Sequence, residues 1–498
     1  MVQRYNILGR YTNQYLCLCS HAWSVEVSHG KIRVRRDWYQ PQDPDRRVSG
    51  EVTYTPNEGI KLELIGDFSK HSLYVDTDYY PTILGVVEGS RRITLFGCLL
   101  VDGGGTSLVI GNETSKAVGT YSVSKMMDGW HFESTDQVIA KIVCIEYDGL
   151  PEWLCISGLK RDDIKIDWDA HTIDFHYELP QPVEFGFTNE IEASFIFSVN
   201  DIALPTYPTS FALEQSVCLQ MKSEKGLTLR DVINASYRFQ TFLMAGLRGE
   251  SCVKRIYFLN PDYSVTLHDG RQINRRIDLF YHQHFTVGTK KWDIRSMSFV
   301  YPSIRERFSE LIIRWNDVFS EIEPCLNLLM EQLRQKQTFS DNDFLNLAQA
   351  AETLHDRMNP NAVKMPKAEY KILKGQILEG VPESQKEFVK GLIQNGNNLS
   401  LRQRLNELLD VCPQTIADMF IPDRKTFVEE VLDSRNYYTH YALGSKKHIL
   451  RGRDLIRLTK RLQELLLVDI LLYTGVDESM LVQRYTLRRY EYEWLLEP

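Results

Sequence analysis

Residues 303–322 read SIRERFSELIIRWNDVFSEI, and Ile304, Phe308, Leu311, Ile312, Trp315, Phe319 and Ile322 recur in them at steps mostly of three and four. On a helix of about 3.6 residues per turn that spacing lays one apolar stripe along one side, so a packed helix is predicted. Pro324 is expected to kink or end it before Leu326 to Leu333 resumes the pattern, because proline has no N–H to donate and its ring clashes with the preceding turn. This stretch decides the fold because the period of the sequence changes here.

Downstream the period stays helical. Ser340 offers an N-cap, with Asp341 and Asp343 in the first turn and Leu347, Ala351, Leu354 and Met358 following, and Asn359-Pro360 closes that helix. Further helices are expected at Glu369–Leu378, Ser384–Gln394, Leu401–Leu409, Lys425–Tyr441 and Arg453–Tyr473, which together read as an all-α bundle. Upstream, short alternating or apolar runs are separated by turn residues. Ile32 and Val34 alternate with basic residues, and strands are expected at Ile60–Leu64, Ile93–Val101, Val138–Glu146, Ile191–Val199, Val253–Leu259 and Ile277–Tyr281. One helix, Leu229–Leu247, interrupts them, with Gly246 near its end. The fold class expected is α+β and multidomain: a β-rich, sandwich-like region over residues 1–300, connecting helices over 301–337 and a helical bundle over 338–498.

A chain of 498 residues exceeds one ordinary core, so two or three domains are expected. With 43% hydrophobic and 25% charged residues the composition is that of a soluble globular protein, and a net charge of -8 gives no overall nucleic-acid footprint. Any RNA-binding surface must then be a local basic patch. Nine cysteines, without a CxxC pair, read as reduced thiols of a cytoplasmic protein. Met1 to Arg4 lead into polar residues rather than a signal peptide, and Leu465 to Tyr473 is short and carries Asp469, so it reads as a buried helix rather than a membrane span.

The residues that carry chemistry are Asp433-Ser434-Arg435-Asn436-Tyr437-Tyr438-Thr439-His440. At about 100° per residue, Phe427, Val428, Val431, Leu432, Tyr438 and Ala442 fall on one apolar side of a helix, with Arg435 in its middle. A guanidinium there must meet a carboxylate, a phosphate or a solvent-filled cleft. Asn436 and His440, four apart, share a surface, where the amide could orient the imidazole. Next come Lys446, Lys447, His448, Arg451, Arg453, Arg457, Lys460 and Arg461, with Asp454 the only acid among them. Such a run suits a polyanion through phosphate contacts, or is a solvated helix face. Arg435 equally reads as a structural arginine paired with an acid of another helix, beside an exposed histidine at a helix end.

The Arg-Asn-x-x-x-His pattern resembles the HEPN ribonucleases. Together with the bundle and the helix Phe344–Met358, worded Leu-Ala-Gln-Ala-Ala-Glu-Thr-Leu-His, it is similar to the HEPN domain of the ApeA family of bacterial anti-phage proteins, which also places a large β-rich domain first. The resemblance implies metal-independent RNA cleavage with no cofactor. His440 would act as general base or acid around the ribose 2'-hydroxyl and the leaving oxygen, Arg435 would hold the scissile phosphate, and Asn436 would orient one of them. Tyr437 and Tyr441 would stack on unpaired bases, Tyr438 would be core, and Lys446, Lys447, Arg451 and Arg453 would contact the RNA backbone. It further implies a homodimer that joins two motifs, an abortive-infection role, and an N-terminal domain that senses a phage-derived trigger or restrains the nuclease. Transfer RNA is the substrate expected by analogy with toxin-like HEPN nucleases. The rival reading is a non-catalytic β-sandwich that binds carbohydrate or protein, joined to a helical dimerisation module.

Other candidates read as structural. Cys17, Cys19 and His21 alternate on a strand and lack a clear fourth metal ligand, and His282 and His284 repeat that alternation. Asp102-Gly103-Gly104-Gly105-Thr106 lacks the Lys-Ser/Thr ending of a phosphate loop. Asp162, Asp163, Asp167, Asp169 and Asp174 surround a hairpin over Ile164–Tyr177 that faces water.

Overall fold

The computed structural model describes residues 32–66, 68, 79–87, 91–102, 109–110, 113–114, 118–160, 164–199, 212–266, 272–283, 292–334, 339–441 and 448–496. Strands β1 (Ile32–Gln40), β2 (Asp43–Thr55), β3 (Gly59–Ile65), β4 (Tyr79–Val87) and β5 (Arg91–Asp102) are followed by a short ribbon, β6 (Val109–Ile110) with β7 (Glu113–Thr114), and by β8 (Val118–Asp128). Antiparallel pairing runs β8-β3-β2-β1-β4-β5 and returns to β8, which closes a six-stranded barrel. Its interior is dictated by period two: Ile32, Val34 and Trp38 are buried, while Arg33 and Arg35 between them are exposed.

The second half of β8 has another partner. Lys125 to Asp128 pair with β16 (Gln272–Tyr281), so the barrel runs into an open sheet. That sheet continues through β15 (Val253–Thr266), β9 (Val138–Tyr147), β14 (Gln215–Thr228), β13 (Glu192–Val199) and β12 (Val183–Gly186). The β-rich region is therefore a barrel fused to a sheet through one shared strand. On one sheet face lie α1 (Leu150–Leu154) and α2 (Leu229–Leu247), the latter with the bounds expected from sequence and a capping box from Thr228 and Asp231. Gly246 serves close packing rather than the helix end, since a Cβ there would lie 2.7 Å from the Trp153 indole nitrogen. The helix is capped instead by Arg248 in the left-handed conformation, φ 53°.

Between α1 and β12 stands a hairpin, β10 (Ile164–Asp167) with β11 (Thr172–Phe175), exposed along both strands. Asp167 caps its turn by accepting the N–H groups of Asp169 and Ala170 at 3.0 and 2.9 Å. No three His, Cys, Asp or Glu side chains converge on a metal-sized point among the described residues. His282 has a local partner too, its Nε2 lying 3.1 Å from the Asn57 carbonyl. Cys17, Cys19, His21, Gly103 to Thr106, Asp162, Asp163 and His284 lie outside the described residues.

The helical half holds α3 (Tyr301–Ile304), α4 (Phe308–Leu333), α5 (Asp341–Met358), α6 (Lys367–Glu379), α7 (Lys386–Leu392), α8 (Leu401–Val411), α9 (Gln414–Ala417), α10 (Arg424–His440), α11 (Gly452–Tyr473), α12 (Glu478–Leu487) and α13 (Glu493–Leu496). Pro324 does not end α4. It sits exposed while Phe319, Ile322, Cys325, Leu326 and Leu329 around it are buried, so packing holds the helix and the carbonyl that loses its donor is on the solvent side. Helix α4 touches β12 and α2 on one side and α5 and α11 on the other, and one apolar core runs from the sheet into the bundle. Ser340 stands at the N-cap of α5 as expected, and Asp343 accepts its backbone N–H at 2.7 Å and its hydroxyl at 3.2 Å. No helix among the described residues is long and apolar enough to cross a membrane. Asp469, in the apolar run of α11, is fully buried.

Candidate active site

The motif helix α10 is seated by Phe427, Val431, Ser434 and Tyr438, which recur at four, three and four and are buried against α5, α8 and α11. The middle of that face belongs to Ser434, not Arg435. Ser434 can occupy it because its hydroxyl accepts the Leu450 N–H at 3.1 Å, while Tyr438 donates to the Leu450 carbonyl at 3.0 Å. Arg435, one residue on, lies at the flank with its side chain 35% exposed.

From that flank Arg435 reaches Glu352 of α5, at 3.3 Å. Glu352 is itself 36% exposed, so the pair lies at the surface and leaves guanidinium nitrogens toward solvent. Sequence reasoning gave Glu352 no role, although it follows Ala351 on the buried face of α5 and so borders the next helix. Around it Arg404 of α8 donates to the Glu352 carbonyl at 3.3 Å and pairs with Asp356. One turn on from Glu352, the buried His355 meets Glu407 of α8 at 2.7 Å, and its Nδ1 has no hydrogen-bond partner among the described residues.

Asn436 and His440 continue around α10 toward solvent, Asn436 partly covered and His440 exposed in the last helical position. Neither makes a side-chain hydrogen bond to a described residue, and none joins them to each other. Five residues turn an ideal helix by about 500°, leaving Arg435 and His440 roughly 140° apart. On one undistorted helix the two side chains therefore point well apart rather than to one spot.

The aromatic residues occupy the other flank. Tyr437 accepts from Arg451 at 3.2 Å and carries its guanidinium over the ring at 5.1 Å, and Tyr441 packs edge-on to Tyr437 with centroids 5.7 Å apart. Tyr441 caps α10 in the left-handed conformation, φ 46°, and is 59% exposed. Tyr438 is core, as expected. Of the basic run, Arg451 and Arg453 are exposed and Lys446 and Lys447 lie outside the described residues. Arg457 is buried and paired with Asp454 at 3.2 Å, and Arg461 lies 3.7 Å from Glu430 of α10. Burial pushes the Glu430 carboxyl up, against the pull of Arg461. The run is thus less basic in space than in sequence, because Arg457 meets Asp454, Arg461 meets Glu430 and Asp433 accepts the His448 N–H, while Glu429 pairs with Arg402 of α8.

A family model described as ApeA N-terminal domain 1 matches residues 36–315, and one described as Apea-like HEPN matches residues 345–479. The chain belongs to the ApeA family. No curated protein and no solved structure matches it significantly. The ApeA N-terminal match takes in the barrel, the sheet, α2 and the first turns of α4, and the HEPN match takes in α5 to α11, including Glu352 and Arg435 to His440. An ApeA N-terminal domain ahead of an HEPN-type domain, a type whose members are generally ribonucleases, places this chain among anti-phage effectors.

Proposed function

We propose that this ApeA-family chain is an RNA endonuclease whose site is built on α10. The observation that carries the reading is Arg435: a guanidinium held at the rim by a partly exposed carboxylate, in the same helical stretch as the partly covered Asn436 and the exposed His440. A surface ion pair is worth about 0–1 kcal/mol, so an RNA phosphate can take guanidinium donors from Glu352 at small cost. Arg435 would bind the phosphate and stabilise the charge added as the 2'-hydroxyl attacks it. His440 would take the proton of that hydroxyl, or return one to the departing 5'-oxygen, and Asn436 would position one of the reacting groups. Tyr441 would stack on an unpaired base, with Tyr437 and Arg451 supporting it and Arg453, Lys446 and Lys447 contacting the strand.

The bond broken is P–O5', and the products are a 2',3'-cyclic phosphate and a 5'-hydroxyl. The reaction needs no metal in this scheme, since the ribose supplies its own nucleophile. A homodimer with the arginine of one copy near the histidine of the other would resolve the 140° separation. In the cell the activity would serve abortive infection, with transfer RNA as substrate and the N-terminal domain sensing a phage-derived trigger or restraining the bundle. The test is purified full-length protein incubated with total RNA and with transfer RNA in EDTA. Cleavage leaving cyclic phosphate ends, absent in the Arg435→Ala and His440→Ala proteins, supports the reading. Strict dependence on added magnesium, 5'-phosphate ends or undiminished variants overturn it.

A second reading has its own observation. Arg435 does pair with an acid of another helix and His440 does stand exposed at a helix end, which is also how a non-catalytic helical dimerisation module would look. Absence of any RNA cleavage in the same assay, with a partner-binding function intact, selects it.

A further inference from the structure

Beyond the bundle, the barrel carries a second arrangement of arginines. Along β1, Arg33 and Arg35 stand on the outer face, 59% and 76% exposed, and both reach the same carboxylate, Glu51 of β2. Arg33 donates from Nε to one carboxylate oxygen at 2.5 Å, and Arg35 donates from Nε to the other. The terminal nitrogens of both guanidiniums donate to no described residue. Glu51 therefore holds two forks side by side with their open ends outward. Its carboxyl is raised by burial, but the hydrogen bonds from Arg35 and Arg33 outweigh that and keep it below the usual carboxylate range.

The forks border a built recess. Among the described residues, strand β1 pairs with β4 at Trp38 and Tyr39, and Arg33 to Arg36 of β1 line an open groove together with Glu51, Val87 and Arg91. The open groove has a volume of about 520 Å³. Arg91 is held across its mouth by Asp128, and Arg36 also has a partner of its own. Four arginines thus line a groove at which Glu51 and Asp128 are paired acids, and of the four it is Arg33 and Arg35 that keep open guanidinium ends, in a chain whose net charge is -8. The groove's guanidinium lining suits a compact ligand with several negative charges.

We propose that this groove of the ApeA N-terminal domain binds a short phosphate chain, such as the triphosphate of a nucleotide, through the paired forks of Arg33 and Arg35. Planar forks match phosphate oxygens two at a time, which a point-charge lysine cannot reproduce. The inference is independent of the nuclease reading, because none of its residues belongs to α10.

The test is isothermal titration of the full chain with inorganic tripolyphosphate, with ATP and with adenosine, all without metal. Saturable binding of tripolyphosphate or ATP, but not adenosine, is expected. Tripolyphosphate alone would assign a bare chain, ATP alone a nucleotide. The R33Q/R35Q protein should lose at least tenfold in affinity, and R33K/R35K nearly as much, while Arg435→Ala binds as wild type does. Both sites of substitution are exposed, and an unchanged melting temperature confirms the fold. No saturable binding, full binding by the lysine pair, or loss of binding in Arg435→Ala overturns the proposal. So does a single-stranded RNA of about 20 nucleotides that binds through Arg33 and Arg35 where tripolyphosphate and ATP do not.

Discussion

Replacing Arg435 by alanine separates chemistry from architecture, because the two readings of this residue give very different magnitudes. Its one ion pair among the described residues, with Glu352, is 3.3 Å long and about a third exposed on both sides. At such exposure solvent screens the charges, and the pair contributes no more than about 1 kcal/mol. Urea unfolding of Arg435→Ala, followed by tryptophan fluorescence, is therefore expected to show a loss below about 1 kcal/mol. Removing the group that stabilises transition-state charge costs roughly 10²- to 10³-fold in rate, equivalent to about 3–4 kcal/mol of barrier. Initial rates of transfer RNA cleavage, read on a denaturing gel, are expected to fall by that factor. The control is Glu352→Gln, which removes the same ion pair and leaves the guanidinium. It should match Arg435→Ala in stability and retain cleavage within roughly threefold, since on this account Glu352 only parks the guanidinium. Near wild-type cleavage by Arg435→Ala would refute the reasoning. So would a stability loss above about 2 kcal/mol, which would make Arg435 structural.

The junction between the sheet and the bundle gives a stability prediction: Arg248, at the end of α2, pairs with the buried Glu464 of α11 and at 3.0 Å with Glu491, and Tyr485 donates to Glu464 at 3.1 Å. Arg248→Met strands Glu464 and should cost about 3–5 kcal/mol in urea unfolding, with Arg248→Met/Glu464→Gln losing less than the sum of the singles; simple additivity would deny the coupling. Burial raises the Glu464 carboxyl, but Arg248 and Arg488 outweigh it and hold it low, so its contribution is present above the unfolded carboxylate range and is lost as pH falls through the folded value. Asp469 has the opposite sign: burial alone pushes it well above its ordinary value, and neither oxygen has a hydrogen-bond partner among the described residues. Its native state keeps a proton that the unfolded chain loses, so the stability advantage of Asp469→Asn should grow by up to about 1.4 kcal/mol per pH unit above pH ~4; a pH-independent difference in melting temperature would contradict this. For the dimer, mixing Arg435→Ala with His440→Ala protein under subunit exchange should restore part of the cleavage, whereas full activity in a verified monomer would rule out a shared cleft.

What the sequence determined by itself was everything carried by neighbouring residues. The alternation at Ile32 and Val34 placed β1 with its arginines outward, the three- and four-residue steps after Pro302 placed α4, and Leu229 and Leu247 bounded α2 correctly at both ends. Ser340 announced its cap, and Arg435 to His440 announced a helix with polar chemistry, because caps and helical faces depend on residues within a turn or two of one another. Tertiary structure decided what depends on distant partners. That β8 divides its edge between β3 and β16, closing a barrel and extending it into a sheet, is a matter of strand order, which periodicity does not encode. Pro324 stayed inside α4 because buried neighbours on both sides outweighed one lost hydrogen bond. Arg435 moved off the centre of its face because Ser434 found a backbone donor in Leu450, sixteen residues away. In the basic run after His440, Arg461 met Glu430 of α10 and Arg457 met Asp454, and Arg435 found Glu352 eighty-three residues upstream. Local spacing sets which way a side chain points, but only the packing of helices from distant parts of the chain sets which charge it meets there.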